Sequence, residues 1–272
     1  MTDPVIIVDQ LHKAFGEQRV LQGVSFAVAP GETVAVLGRS GTGKSVLLKT
    51  IIALMNPDAG SVRVFGRDFH ALDESGRLTA RAGIGYVFQG AALFDSLTVM
   101  ENVGFALLQR RMPEAEVRRQ VLERLEMVGL ADAIDKVPSE LSGGMQKRVG
   151  LARAIVGEPK LILYDEPTTG LDPLTTEVIN RIILRLRRKL GVTSMVVTHD
   201  VKSAFTIADR VIMLDQGRIV ALGTPQEIER SDNVWVQHFI HGRSLDTDTS
   251  GSRPRIVAVT PSATPPAPQP DY

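Results

Sequence analysis

The chain has 272 residues, 43% hydrophobic and 23% charged, which is ordinary for a globular protein and exceeds a single average domain. Its 31 basic residues balance 31 acidic ones, so no net field draws nucleic acid or an anionic membrane surface. The absence of cysteine excludes thiol chemistry, disulfides and cysteine-held metals, and no window approaches the roughly eighteen apolar residues of a membrane span.

Met1 to Gln10 has neither a basic leader region nor a long apolar stretch, so a soluble, cytosolic protein is expected. β-branched runs bounded by glycine, proline or aspartate predict strands over Val5–Val8, Ser25–Val28, Thr33–Leu37, Val62–Phe65 and Ile84–Phe88. The third runs into Gly38-Arg39-Ser40-Gly41-Thr42-Gly43-Lys44-Ser45, a fit to G-x-x-x-x-G-K-[ST], and a helix is predicted from Ser45 to Leu54. Strand, glycine loop and helix in that order form a phosphate cradle. The glycines let backbone amides point inward, and the helix adds the positive end of its dipole. Lys44 then reaches the outer phosphates, and Ser45 offers a hydroxyl to Mg²⁺.

Between Gly90 and Pro159 the strand signal disappears. Helices are predicted over Val99–Leu108 and Glu114–Val128, the second with Val117, Val121, Leu125 and Val128 on one face. The segment Leu141-Ser142-Gly143-Gly144-Met145 precedes a third helical pattern of Met145, Val149, Ala152 and Val156. A serine cap followed by two glycines leaves bare amides at a helix start, a second anion site in one chain. Strands resume over Leu161–Tyr164, Ser194–Val197, Val211–Leu214 and Arg218–Ala221. Asp165 ends the first of these and is the expected metal partner; Glu166 beside it is the expected base for an attacking water. His199 follows the second strand, where open α/β sheets place ligands, although a lone histidine there is more often structural. A helix patterned Val178, Ile182, Ile183, Leu186 and Leu190 stops at Gly191, and the basic run Arg185–Lys189 complements its dipole.

Taken in order, these motifs resemble the ATP-binding subunit of an ABC transporter, and the resemblance spans residue 5 to about residue 240. It implies an α/β P-loop NTPase core, RecA-like, with a mixed sheet flanked by helices and a helical subdomain inserted at about 90–158. The ATPase domain would cover 1–243. It further implies ATP and Mg²⁺ as ligands, with Ser45, Gln89 and Asp165 at the metal and Glu166, His199 and Gln89 in catalysis. Phe15 matches the aromatic that stacks on the base, although stacking alone accepts guanine as well as adenine. Ser142, Gly143 and Gly144 match the signature that closes on the nucleotide of a second copy, and Gly170-Leu171-Asp172 the loop that crosses that dimer interface. Met145 stands where most of the family has glutamine, and Gly170 where many have serine or alanine; neither removes a phosphate ligand.

The segment Phe88 to Val103 is apolar for a loop, and Leu93 and Phe94 need a place to bury. They either pack within the helical insert or line a groove for a permease helix. This stretch and the Leu-Ser-Gly-Gly-Met signature are similar to the ATPases of Mla/Mce lipid transport systems. That resemblance implies an integral-membrane permease, a lipid-binding Mce-domain protein, a small accessory subunit in some species, and a place on the cytoplasmic face of the inner membrane. A soluble ABC ATPase of DNA repair or the ribosome would need long heptads or two cassettes, and neither is present. From 244 to 272 the composition turns to proline, serine, threonine and alanine, expected to be disordered, with Arg255–Thr260 as a strand-like exception.

Overall fold

A computed structural model describes residues 3–243. The segment 244–272, with the run Arg255–Thr260, lies outside the described residues. The chain opens with β1 (Ile6–Phe15), β2 (Gln18–Val28) and β3 (Thr33–Leu37), followed by α1 (Lys44–Ile51), β4 (Ala59–Val64) and β5 (Arg67–Asp68). β1, β2, β4 and β5 form an antiparallel sheet of order β2-β1-β4-β5. Its inner face supplies Ile6, Val8, Leu11 and Val62, which share one core with Leu47, Leu48 and Ile51 of α1 and with Val34 and Val36 of β3.

After α2 (Glu74–Arg81) and β6 (Ile84–Val87) come α3 (Val99–Gln109), α4 (Glu114–Met127) and α5 (Gly143–Ile155). Next are β7 (Leu161–Asp165), α6 (Pro173–Leu190), β8 (Thr193–Thr198), α7 (Val201–Ile207), β9 (Arg210–Asp215) and β10 (Arg218–Gly223), closed by α8 (Pro225–Glu229) and α9 (Val234–Ile240). Every residue of β3, β7 and β8 is buried, as expected of parallel strands covered on both faces. They sit inside a sheet of order β10-β9-β3-β8-β7-β6, parallel except where β10 meets β9.

Register decides where the chemistry falls. Leu37 pairs with Thr198, Asp165 with Val197 and Val87 with Tyr164, so the carboxyl ends of β3, β6, β7 and β8 share one edge. Between β6 and β7 the chain is helical. Val99, Val103 and Leu107 of α3 meet Val117, Val121 and Leu125 of α4 and Val149 and Ile155 of α5 in a continuous core. α3 and α4 approach closely at Gly104, where a Cβ would fall 2.5 Å from the Val117 side chain.

β1 and β2 are longer than their hydrophobic runs. Gln10, His12 and Gly23 interrupt the alternation, and the hairpin absorbs them through register shifts between Val8 and Leu11, between Leu11 and His12 and between Lys13 and Ala14. α2 buries none of its residues, so it carries no periodic signal. Among the described residues no helix is long and apolar enough to cross a membrane.

Candidate nucleotide site

Because β3 ends at the shared edge, the loop 38–43 opens there and delivers Lys44 and Ser45 into the first turn of α1. Gly38 has no room for a side chain: a Cβ would lie 2.5 Å from the Leu214 carbonyl. Gly43, the residue before α1, has φ 96° and gives no side-chain cap, whereas α2, α3, α5, α6, α7, α8 and α9 are each capped by a side chain. An uncapped helix start beneath a glycine loop is an anion cradle. Arg39, Ser40 and Gly41 are exposed on its rim, and Thr42 ties the loop through its hydroxyl, which donates to the Arg39 carbonyl at 2.8 Å.

Lys44 is 5% exposed and donates to the carbonyls of Gly38 (2.9 Å) and Arg39 (3.0 Å), while its Nζ lies 3.3 Å from Glu166 Oε1. A buried ammonium needs such a counter-charge. The other oxygen of Glu166 accepts from Thr169 Oγ1 at 2.9 Å and lies 2.8 Å from His199 Nδ1. Glu166 itself has φ 49°, a left-handed conformation costing about 1–3 kcal/mol for a non-glycine residue and typical of functional sites. Its backbone N–H donates to the Val197 carbonyl at 2.9 Å, so β8 holds the turn in place.

Ser45 Oγ donates to Asp165 Oδ1 at 2.7 Å, and Tyr86 OH donates to Asp165 Oδ2 at 3.1 Å. Burial first, then the neighbouring Asp165 charge, pushes the Tyr86 phenol well above its ordinary range, so it stays a donor. No group of three or more His, Cys, Asp or Glu able to hold a metal occurs among the described residues. The Ser45 hydroxyl and the Asp165 carboxylate form instead the sparse oxygen set that suits Mg²⁺ shared with substrate phosphates. The residues fit the ion.

Four of the expected groups thus meet at one edge: the glycine loop with Lys44 and Ser45, Asp165, Glu166 and His199. Gln89 is exposed just beyond β6. Phe15, 47% exposed, stands at the turn of the β1–β2 hairpin with Lys13 Nζ 5.5 Å from its ring centre. The signature lies apart. Ser142 caps α5 by accepting from Met145 N at 3.3 Å, and it lines an open cleft of about 410 Å³ with Gly143, Gly144, Arg148, Gly170 and Asp172. No residue of the 38–45 loop lines that cleft. Asp172 is spoken for locally: it accepts from Leu174 N (3.0 Å), Thr175 N (2.9 Å) and Thr175 Oγ1 (2.5 Å), and the Thr175 contacts hold its carboxyl below the usual range. It therefore shapes the cleft as the cap of α6 with both oxygens already engaged.

Tyr86 and Thr169 escape sequence reasoning. The available signal is a phenol within the otherwise apolar β6 and a hydroxyl three residues after the presumed base.

An uncapped phosphate cradle, a serine–aspartate pair and an inserted helical bundle define a P-loop nucleotide-binding cassette. The family model for the ABC transporter matches residues 21–169. The methionine import ATP-binding protein MetN of Brucella abortus is 41% identical over 220 residues, covering 81% of this chain. This chain spans 60% of the length of that relative. The chloroplastic protein trigalactosyldiacylglycerol 3 of Arabidopsis thaliana is 42% identical over 262 residues, 90% of this chain and 75% of its own. The probable ribonucleotide transport ATP-binding protein mkl of Mycobacterium leprae is 39% identical over 241 residues, covering 88% and 70%. Among solved structures, CbiO1 of Clostridium perfringens, part of an ABC transporter complex, superposes with TM-score 0.78 at 30% identity over 87% of this chain and 94% of its own. The cassette MJ0796, solved as a dimer bound to ADP and Pi, gives TM-score 0.75 at 34% identity over 81% and 98%. The chain belongs to the ABC transporter family and has the fold of its ATPase cassettes.

Proposed function

We propose that this protein is the ATP-hydrolysing subunit of a lipid transporter of the Mla/Mce type. Two copies would pair head to tail under integral-membrane permease subunits on the cytoplasmic face of the inner membrane. The observation that carries the ATPase reading is the convergence on Glu166, whose carboxylate touches Lys44, Thr169 and His199 at the edge where the phosphate cradle opens.

In this reading the adenine stacks on Phe15, and the triphosphate lies on the amides of residues 38–45 with Lys44 neutralising its outer charge. Glu166 accepts a proton from water as the water oxygen attacks the terminal phosphorus and the bond to the bridging oxygen breaks. His199, tied to the same carboxylate, orients that group and meets the leaving phosphate. Ser45, Gln89 and Asp165 would hold Mg²⁺, which supplies charge neutralisation between the phosphates. The signature cleft, separate from the cradle of its own chain, would then close over the nucleotide of the second copy.

Lipid as cargo is favoured by the apolar segment after Gln89 and by the Leu-Ser-Gly-Gly-Met signature, and by long matches to a relative whose name carries a glycolipid. The methionine import relative supports a second reading, an amino-acid importer. Tagging the chain, extracting membranes in detergent and identifying what co-purifies separates them. A permease together with an Mce-domain protein, with or without a small accessory subunit, is the expected result. A permease of an amino-acid importer, or ribosomes or DNA, would overturn the lipid reading.

A further inference from the structure

Lys147, Gly150 and Arg153 follow one another along α5 at i, i+3 and i+6, a row that forms a ridge on a helix surface. The loop carrying Gln89 lies on that ridge in matching order. Lys147 Nζ donates to the Gln89 carbonyl. A Cβ on Gly150 would lie 3.5 Å from the Ala91 Cβ. Arg153 donates to the carbonyls of Ala91 at 2.5 Å and Ala92 at 2.7 Å. Both alanines have left-handed backbones, φ 60° and 49°, a conformation L-residues hold only when their surroundings impose it.

Lys147 is 8% exposed. Burial draws its ammonium below the ordinary lysine range, and the charges of Glu166 and Asp165 act against that. Further along, the fully buried Asn102 of α3 receives Phe94 N–H at 2.8 Å and donates to the carbonyls of Phe94, Leu97 and Thr98, each at 3.0 Å. The loop is therefore held along its length by side chains of two helices.

We infer that Lys147 and Arg153 are positioning residues that clamp the Gln89 loop onto the signature helix, so that Gln89, the exposed Phe94 and the Ser142 end of α5 shift as one body. A force applied at Phe94 would then reach Gln89 and the signature together. The clamp is a property of the folded chain; its consequence for turnover rests on the ATPase reading.

Hydrogen–deuterium exchange on the full chain without nucleotide tests it. In the double variant Lys147→Met with Arg153→Met, amide exchange over residues 89–94 should rise about tenfold while β3, β7 and β8 stay protected. Lys147→Gln, which keeps a donor and loses the charge, should retain most of the protection lost in Lys147→Met. In turnover assays Lys147→Met should lower kcat about tenfold with KM for ATP within about twofold. Unchanged loop exchange in the double variant overturns the clamp, as does a uniform loss of protection with a lowered melting temperature. If the double variant does not fold, Lys147→Met and Arg153→Met singly decide by the same criterion. A wild-type chain that binds but never hydrolyses ATP would sink the ATPase reading, and the exchange result would still decide the clamp.

Discussion

At the scale of single residues, the site is organised around two adjacent carboxylates with different surroundings. Asp165 is bound by hydroxyls of Ser45 and Tyr86, which suits a group that holds a metal through water. Glu166 is bound by a cation, a hydroxyl and an imidazole on a strained turn, which suits a group that must exchange a proton. Glu166→Gln keeps the shape and removes the base, so turnover should fall roughly a hundred- to ten-thousand-fold. Nucleotide affinity should persist, because the cradle amides belong to residues 38–45. Wild-type hydrolysis by that variant in the assembled transporter would remove Glu166 from the mechanism. Tyr86→Phe tests the other carboxylate: losing one hydroxyl donor to Asp165 should raise the Mg²⁺ concentration for half-maximal turnover about tenfold. A Mg²⁺ titration that superposes on wild type would make Tyr86 a packing residue.

At the scale of elements, the apolar loop after β6 divides into an inward and an outward part. Leu93 packs against the helical core. Phe94 is 46% exposed and faces Phe105, itself exposed, with ring centres 5.0 Å apart. An exposed aromatic pair beside a rigid loop fits a docking surface for a permease helix. Phe94→Asp should leave the melting temperature of the isolated chain nearly unchanged and abolish permease pull-down, with several kcal/mol of association lost. Asn102→Ala is the contrast: it strands buried carbonyls of the loop and should destabilise the chain by about 3 kcal/mol. A destabilised Phe94→Asp chain would assign that ring to the core. Sequence pattern reaches the strands with unbroken β-branched runs and the helix ended by Gly191 because burial leaves a period there. It misses α2, whose residues bury nothing, and most of the β1–β2 hairpin, whose polar and glycine residues are absorbed by register shifts. The same limit hides Tyr86 and Lys147, since no local motif marks a side chain whose partner lies on another element. The phosphate loop, Asp165, Glu166 and His199 are legible because each ends a buried strand, and parallel register carries those ends to one edge.

At the scale of the whole molecule, the phosphate cradle and the signature helix start have separate surroundings. The cleft around Ser142 is lined by Gly143, Gly144, Arg148 and the first turn of α6, with Leu174 77% exposed beside it. A glycine-rich helix start and an exposed leucine on the same open face are explained together if a second copy covers both. Two-fold pairing then brings each Ser142 to the nucleotide held by the other chain's Lys44, because an isologous contact repeats every interaction twice. Lys44→Ala spoils the cradle and Ser142→Arg spoils the cover, so each variant alone should be inactive. Mixed in equal amounts, they should recover activity in the heterodimers, where one site of the two keeps both an intact Lys44 and an intact Ser142. Differently tagged chains allow the heterodimer to be isolated and its turnover measured. A verified heterodimer with no turnover, while wild-type dimers carrying one Lys44→Ala chain remain active, would rule out sharing of the site between chains. Recovery of about half the wild-type rate per dimer is the expected outcome.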